Sequence, residues 1–282
     1  MHHVADGQTT ASSAHDSVRR VTRFCVRIHH AGYSYGQLLH VWRAAERVGY
    51  DGVSVYDVLA RPAFEAWTTL AVLTRATRRL VAIPLVLDVG YRHPAMLAKM
   101  AATLDQLTGG KRLILGVGYG GNSDDHHAYG FDWPGRVADR VARLEEQVQV
   151  MRALWNSPKA NFAGQWYALA NADGFAVATP GGPPVLIASR GVRHGLAGVA
   201  RRADLCNVSF DLSPAEWRQY QGVIAEYCIA AGRDPRALGL THNATVVIGT
   251  SRSDAEARLD RLARSRHLTR ELPAYRAAVG TE

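Results

Sequence analysis

Apolar positions along the chain fall into two alternating patterns, short unbroken runs and longer stripes at helical spacing. Phe24 to Ile28 is the first run. Over 35–48, Leu38, Val41, Trp42, Ala45 and Val48 then recur every three or four residues until Gly49. That spacing predicts a helix with one buried face. Val53 to Tyr56 predicts a second strand, 64–76 a second helix and Leu80 to Leu87 a third strand. Pro94 suits a first helical turn, and Leu97, Met100, Leu104 and Leu107 follow on one face before Gly109 and Gly110 end it. Arg112 to Val117 predicts the fourth strand. A Gly/Asp/His loop leads from it to a helix striped by Val137, Val141, Leu144, Val148, Met151 and Leu154. Residues 160–170, around Gly164 and Gln165, predict a hairpin within an insertion at 156–182. The fifth, sixth and seventh strands are expected at Pro184–Ala188, Leu205–Phe210 and Thr245–Ile248. A helix should begin near Gly191, and Ser213, Pro214 and Glu216 form a capping box that opens another.

Repeated strand–helix units argue for a parallel sheet, because parallel neighbours need a crossover between them. No linker or composition break interrupts 21–282, so the expectation is an α/β fold with a single TIM-type (β/α) barrel domain. Seven units are readable and an eighth strand is not, so an incomplete barrel is part of that expectation. It carries a consequence, since unpaired strand edges invite self-association, here a homodimer. Residues 1–20 are polar and lack the apolar core of a secretory leader, and a disordered extension is expected there. No apolar run approaches the ~18 residues of a membrane span. The expectation is a cytoplasmic protein with no membrane partner.

Charge changes the picture little. The net charge is +8, and apart from Lys99, Lys111 and Lys159 the basic residues are arginines dispersed among acids. That distribution suits solvated helix faces better than a nucleic-acid surface, and it accommodates an anionic small molecule. Cys25, Cys206 and Cys228 are widely spaced, which points to neither a disulfide frame nor zinc, and Cys25 and Cys206 look like core fillers.

Barrel sites lie in the loops after the strands. His29 and His30 follow the first strand, as acid–base candidates or as a polar strand end. Asp57 follows the second, as a ligand-binding acid or a turn cap. Arg92 and His93 end the third loop, where they suit either an anion or a solvated turn. Gly116, Gly118 and Gly121 match G-x-G-x-x-G, but a dinucleotide fingerprint needs a helix at once, and helical periodicity resumes only near 135. Close approach of backbone to a flat ring suits these glycines better. His126 and His127 beside Asp124 and Asp125 are a weak metal signal, and no metal is expected. Ser189, Arg190 and Gly191 at a strand-to-helix junction suit a phosphate.

Several stretches resemble the luciferase-like monooxygenase family, most closely its branch that uses the deazaflavin coenzyme F420. They are Glu65–Leu70, Tyr91–Asp105, Gly109–Gly118 and Arg143–Glu146, with Tyr91–Asp105 the most specific. The resemblance spans roughly 22–250. It implies an oxidoreductase that moves hydride between coenzyme F420 and a small organic substrate. An FMN monooxygenase and a catalytically impaired cofactor-binding barrel are the alternatives. It further implies a non-proline cis peptide near Leu85–Val86 under the cofactor ring, a phosphate turn at Ser189, Arg190 and Gly191, and cofactor contacts at Asp57, Gly118, Tyr119 and Asn122. Many relatives carry a histidine directly after the acid of the second strand, and Val58 stands there in this chain. That removes a likely acid–base group of the family, and the catalytic candidates here are the strand-end residues His29, His30 and Asp57.

Overall fold

The computed structural model describes residues 22–60, 62–189, 191, 194–210, 212–265 and 279–281. The expectations for residues 1–20 and for Arg190 lie outside them. The first half of the chain builds β1 (Cys25–Arg27), α1 (Tyr35–Arg47), β2 (Gly52–Val55), α2 (Ala66–Ala76), β3 (Val81–Pro84), β4 (Leu87–Asp88) and α3 (Pro94–Leu107). After them come β5 (Leu115–Gly118), α4 (Ser123–Ala128), α5 (Val137–Asn156) and the antiparallel hairpin β6 (Lys159–Ala163) and β7 (Ala168–Asp173). The remainder is β8 (Val185–Ser189), α6 (Gly195–Arg202), β9 (Leu205–Phe210), α7 (Pro214–Ala230), β10 (Gly239–Asn243), β11 (Val247–Gly249), α8 (Arg252–Ser265) and β12 (Val279–Thr281).

Helix starts follow the expected chemistry. Ser213 and Glu216 form the reciprocal capping box of α7, and His93 accepts the Ala95 N–H at the start of α3. Ser34 and Gln37 make a second capping box on α1 that the apolar pattern does not reveal.

Every pairing outside the β6–β7 hairpin is parallel. Strands β1, β2 and β3 form one sheet, and β4, β5, β8, β9 and β10 form another. The bridge between Ala82, near the start of β3, and Leu113, just ahead of β5, joins the two. Counting β3 and β4 as one interrupted strand, seven parallel strands run in chain order, with their apolar face packed on the helices. Trp42, Leu70, Leu97, Met151 and Leu196 are among the fully buried helix residues.

Three expectations need correction. The seventh strand of this order is β10, at 239–243, rather than the apolar segment at 245–248. The segment Gly239–Asn243 is half-buried throughout and half polar, so no apolar run marks it. Val247–Gly249 instead pairs with Val279–Thr281 in a separate two-stranded parallel sheet, so a further strand does exist. Helix α4 opens directly after the glycine segment, capped by Asn122, although its sequence Ser-Asp-Asp-His-His-Ala shows no periodicity. Cys25 is exposed on the sheet's first strand, and only Cys206 and Cys228 fill core. No described helix is long and apolar enough to cross a membrane.

Candidate functional site

The carboxyl ends of the parallel strands surround a cavity of about 720 Å³. Its lining gathers loops that are far apart in sequence, with His29 after β1 and Asp57 and Val58 after β2. Leu85 and Val86 lie between β3 and β4, Gly118 to Asn122 after β5, and Ser189 ends β8. The peptide between Leu85 and Val86 is cis, at the place the resemblance implies.

Two glycines of β5 are explained by the interruption of the third strand between β3 and β4, a bulge at Leu85 and Val86. A Cβ at Gly116 would strike the Pro84 carbonyl, and one at Gly118 would sit 2.7 Å from Val86 Cγ2. Protein backbone and a valine therefore demand these glycines, while the Gly118 backbone still faces the cavity. Gly120 has φ +83 and lies under the Trp133 ring, whereas Gly121, third in the formal fingerprint, is free of steric demand.

Asp57 is held rather than free. Arg92 grips it with two hydrogen bonds, of 2.6 and 3.1 Å, and the Asp88 N–H reaches it at 3.3 Å. Its side chain is 1% exposed. Arg92 also bonds Glu65 at 2.5 Å, and Glu65 accepts the Trp67 and Thr68 N–H groups that begin α2. Burial alone would raise the Glu65 carboxyl, but these N–H donors and Arg92 outweigh it and hold it below the usual range. Desolvation opposes the charge on Arg92, and its two carboxylate partners more than restore it. So Arg92 clamps two loops together instead of waiting for an external anion, and His93 is a helix cap.

His29 and His30 part company. His29 lines the cavity, and the Tyr56 hydroxyl lies 3.0 Å from its Nδ1 and 2.9 Å from its Nε2. His30 is fully buried, with Nε2 2.9 Å from the Phe64 carbonyl, and does not line the cavity. Ser189 is buried, and its hydroxyl accepts the Gly191 N–H at 3.2 Å. A Cβ at Gly195 would overlap that hydroxyl, so the turn into α6 is closely packed around it.

Sequence reasoning missed several lining residues. Arg27 and Tyr56 stand at the ends of β1 and β2, and Asn207 and Asn243 on β9 and β10. The Asn207 amide donates to Thr241 at 2.7 Å and accepts from Asn243 at 3.1 Å, a polar ladder across two strands. A polar residue inside an apolar strand was the available signal, and Asn207 gives it. Opposite them, Asp88, Asp125 and Tyr91 line the other wall. Burial, with the neighbouring charges of Asp88, Asp125 and Asp57, pushes the Tyr91 phenol above its usual range. Behind that wall, buried His126 places Nε2 3.1 Å from Asp88, outside hydrogen-bonding alignment. Among the described residues no group of three or more His, Cys, Asp or Glu side chains is placed to hold a metal ion.

Parallel strands with crossover helices and a ligand-sized cavity at their carboxyl ends define a (β/α)-barrel-type protein with its site at the top of the strands. The chain belongs to the luciferase-like monooxygenase family, whose model matches residues 19–280. Among curated proteins it is 36% identical over 203 residues to a phthiodiolone/phenolphthiodiolone dimycocerosates ketoreductase of Mycobacterium sp. (strain JLS). That alignment takes in 70% of this chain and 51% of the relative, so the chain spans about half the relative's length. It is 35% identical over 137 residues to an F420-dependent glucose-6-phosphate dehydrogenase of Amycolatopsis mediterranei, covering 45% of this chain and 40% of that one. Its fold is similar to an F420-dependent secondary alcohol dehydrogenase solved with an F420–acetone adduct. There the TM-score is 0.74 at 22% identity, over 89% of this chain and 76% of that one.

Proposed function

We propose that this chain is an oxidoreductase that binds coenzyme F420 in the strand-end cavity and moves hydride between it and a small carbonyl or alcohol substrate. The carrying observation is the cavity itself. Its ~720 Å³ lies within the range of cofactor sites. Leu85, Val86 and Leu87 give it an apolar side, and Asn122, Ser189, Asn207 and Asn243 a polar rim. Gly116 and Gly118 let the bulge sit against β5, where any larger residue would intrude. That arrangement fits a flat heterocycle with a polar tail. Curated relatives are named as a ketoreductase and as an F420-dependent dehydrogenase, which supports the same reading.

The deazaflavin, once bound, supplies the two-electron hydride chemistry, and the protein supplies orientation and proton handling. In this reading Leu85 and Val86 carry one face of the ring, and Gly118, Tyr119 and Asn122 border it. Ser189, Arg190 and Gly191 hold the phosphate. Asp57, locked by Arg92, is a fixed acceptor and not a shuttling acid. His30 serves as buried support. His29 is then the candidate acid–base group of the cavity.

Titration of the purified chain with coenzyme F420 and, separately, FMN, followed by tryptophan fluorescence, tests the reading. The expected result is tight binding of F420 and weak binding of FMN. Tight binding of FMN alone would transfer the assignment to a flavin monooxygenase. Binding of neither would leave a barrel without this cofactor function.

A further inference from the structure

We infer that Tyr56 is a catalytic residue of this site, paired with His29 as a proton-transfer dyad and positioned by His30; the inference rests on the carbonyl–alcohol reading above. The parallel register of β1 and β2 pairs Cys25 with Gly52, Val26 with Val53 and Arg27 with Ser54. Two residues further along, the same offset of 27 puts His29 beside Tyr56, both on the cavity lining. The phenol oxygen is in contact with the His29 ring, 2.9 and 3.0 Å from its two nitrogens, and a turn of that exposed ring brings either nitrogen into line with it. The Tyr56 ring packs against two imidazoles, with centroids 4.7 Å from His29 and 4.8 Å from His30. His30 cannot turn freely. It is fully buried and anchored on the Phe64 carbonyl, so it fixes the angle at which the phenol enters the cavity.

The other cavity tyrosines are less suited. Tyr91 faces Asp88, Asp125 and Asp57, which with burial make its phenol a weaker acid. The Tyr119 hydroxyl is close to where a side chain at Gly191 would begin, at the turn into α6. Among the described cavity tyrosines, Tyr56 is the one with an imidazole at its oxygen. His29 is exposed, so its ring can exchange protons with solvent.

The chemistry balances. A reduced deazaflavin held in the cavity would supply the hydride for the carbonyl carbon, and with it both electrons of the reduction. The carbonyl π pair becomes an O–H bond by taking the phenol proton of Tyr56. His29 in its imidazolium form returns a proton to the phenolate and is recharged from water. Alcohol oxidation runs the same steps backwards. The dyad also supplies what Val58 cannot, a pair of proton-carrying groups at the ends of β1 and β2.

The test uses the full chain and the variants Tyr56→Phe, His29→Asn and His30→Gln. Ring resonances of His29 are titrated by NMR in the free protein. Oxidation of reduced coenzyme F420 is followed by single turnover with acetone, cyclohexanone and 2-decanone. Tyr56→Phe should slow hydride transfer by ~10²–10⁴-fold while cofactor affinity stays within about twofold. It should also shift the His29 titration. His29→Asn should remove one limb of the wild-type pH–rate profile, and His30→Gln should lower the rate less without moving that limb. A Tyr56→Phe rate within about threefold of wild type, or a His29 titration indifferent to the phenol, would overturn the dyad. So would F420 binding without transfer to any of the three ketones. Failure to bind F420 overturns the functional reading instead, and the NMR titration then decides alone whether the pair is coupled.

Discussion

At the residue scale, the largest single commitment in the site is the Asp57–Arg92–Glu65 cluster. Asp57 is almost wholly removed from solvent and Arg92 is 14% exposed. A carboxylate in that position depends on its partner, since removing one member of a buried pair leaves an uncompensated charge. Arg92→Ala should therefore cost about 3–5 kcal/mol, read as a fall in urea midpoint at constant slope. A loss under about 1 kcal/mol would show that Asp57 is solvated in solution. Acid should act on the same cluster. The folded-state value of Glu65 lies below the ordinary carboxyl range. Its contribution is therefore complete above that range and lost as pH falls through the lowered value. In Glu65→Gln the stability profile should flatten at acid pH, and an unchanged acid limb would count against the linkage. Sequence placed Asp57 at the site but not Arg92 on it. The two are 35 residues apart, and only folding brings the loop after β2 against the loop that precedes α3.

At the element scale, the deciding feature is the passage from β3 to β4 across from β5. Gly116 and Gly118 are forced by contact with Pro84 and Val86, while a side chain at Gly121 would meet nothing within 4 Å. Gly116→Ala and Gly118→Ala should each destabilise by about 1–3 kcal/mol and weaken cofactor binding, because the bulge must move. Gly121→Ala should leave the melting temperature unchanged. Equal melting of all three would mean that the bulge is not in contact with β5. The glycine string was legible as a loop that matters. Its purpose was not, because G-x-G-x-x-G describes spacing and says nothing of which strand lies opposite. Strand β10 escaped for another reason: its residues are half-buried, so tertiary position rather than hydrophobicity makes it a strand.

At the scale of the whole molecule, the strand order has two ends. Among the described residues β1 pairs only with β2 and β10 only with β9, and β11–β12 stands as a separate ribbon. Large apolar side chains are open near both ends of the order. Phe24, which leads into β1, is 66% exposed, and Val246 and Ile248, beyond β10, are 65% and 52% exposed. Open edges with apolar neighbours favour pairing between chains. The expected outcome is a concentration-dependent monomer–dimer equilibrium in sedimentation velocity, with a melting temperature that rises with protein concentration. Phe24→Lys and Ile248→Lys together should shift it to monomer. A monodisperse wild-type monomer with a concentration-independent melt would remove the homodimer from the account.

What the sequence determines by itself is periodic or local. Apolar runs and stripes define most strands and helices, since burial of one face repeats along a single element. Ser213 with Glu216 starts α7, since capping acts within four residues. The string from Tyr91 to Asp105 marks the family, because a helix and its cap are written contiguously. Tertiary structure alone decides the rest. Register sets Tyr56 against His29, folding brings Arg92 to Asp57, and the line of the third strand turns Gly116 and Gly118 into necessities. Each of these joins residues that no short window contains, at distances where one ångström separates a hydrogen bond from none.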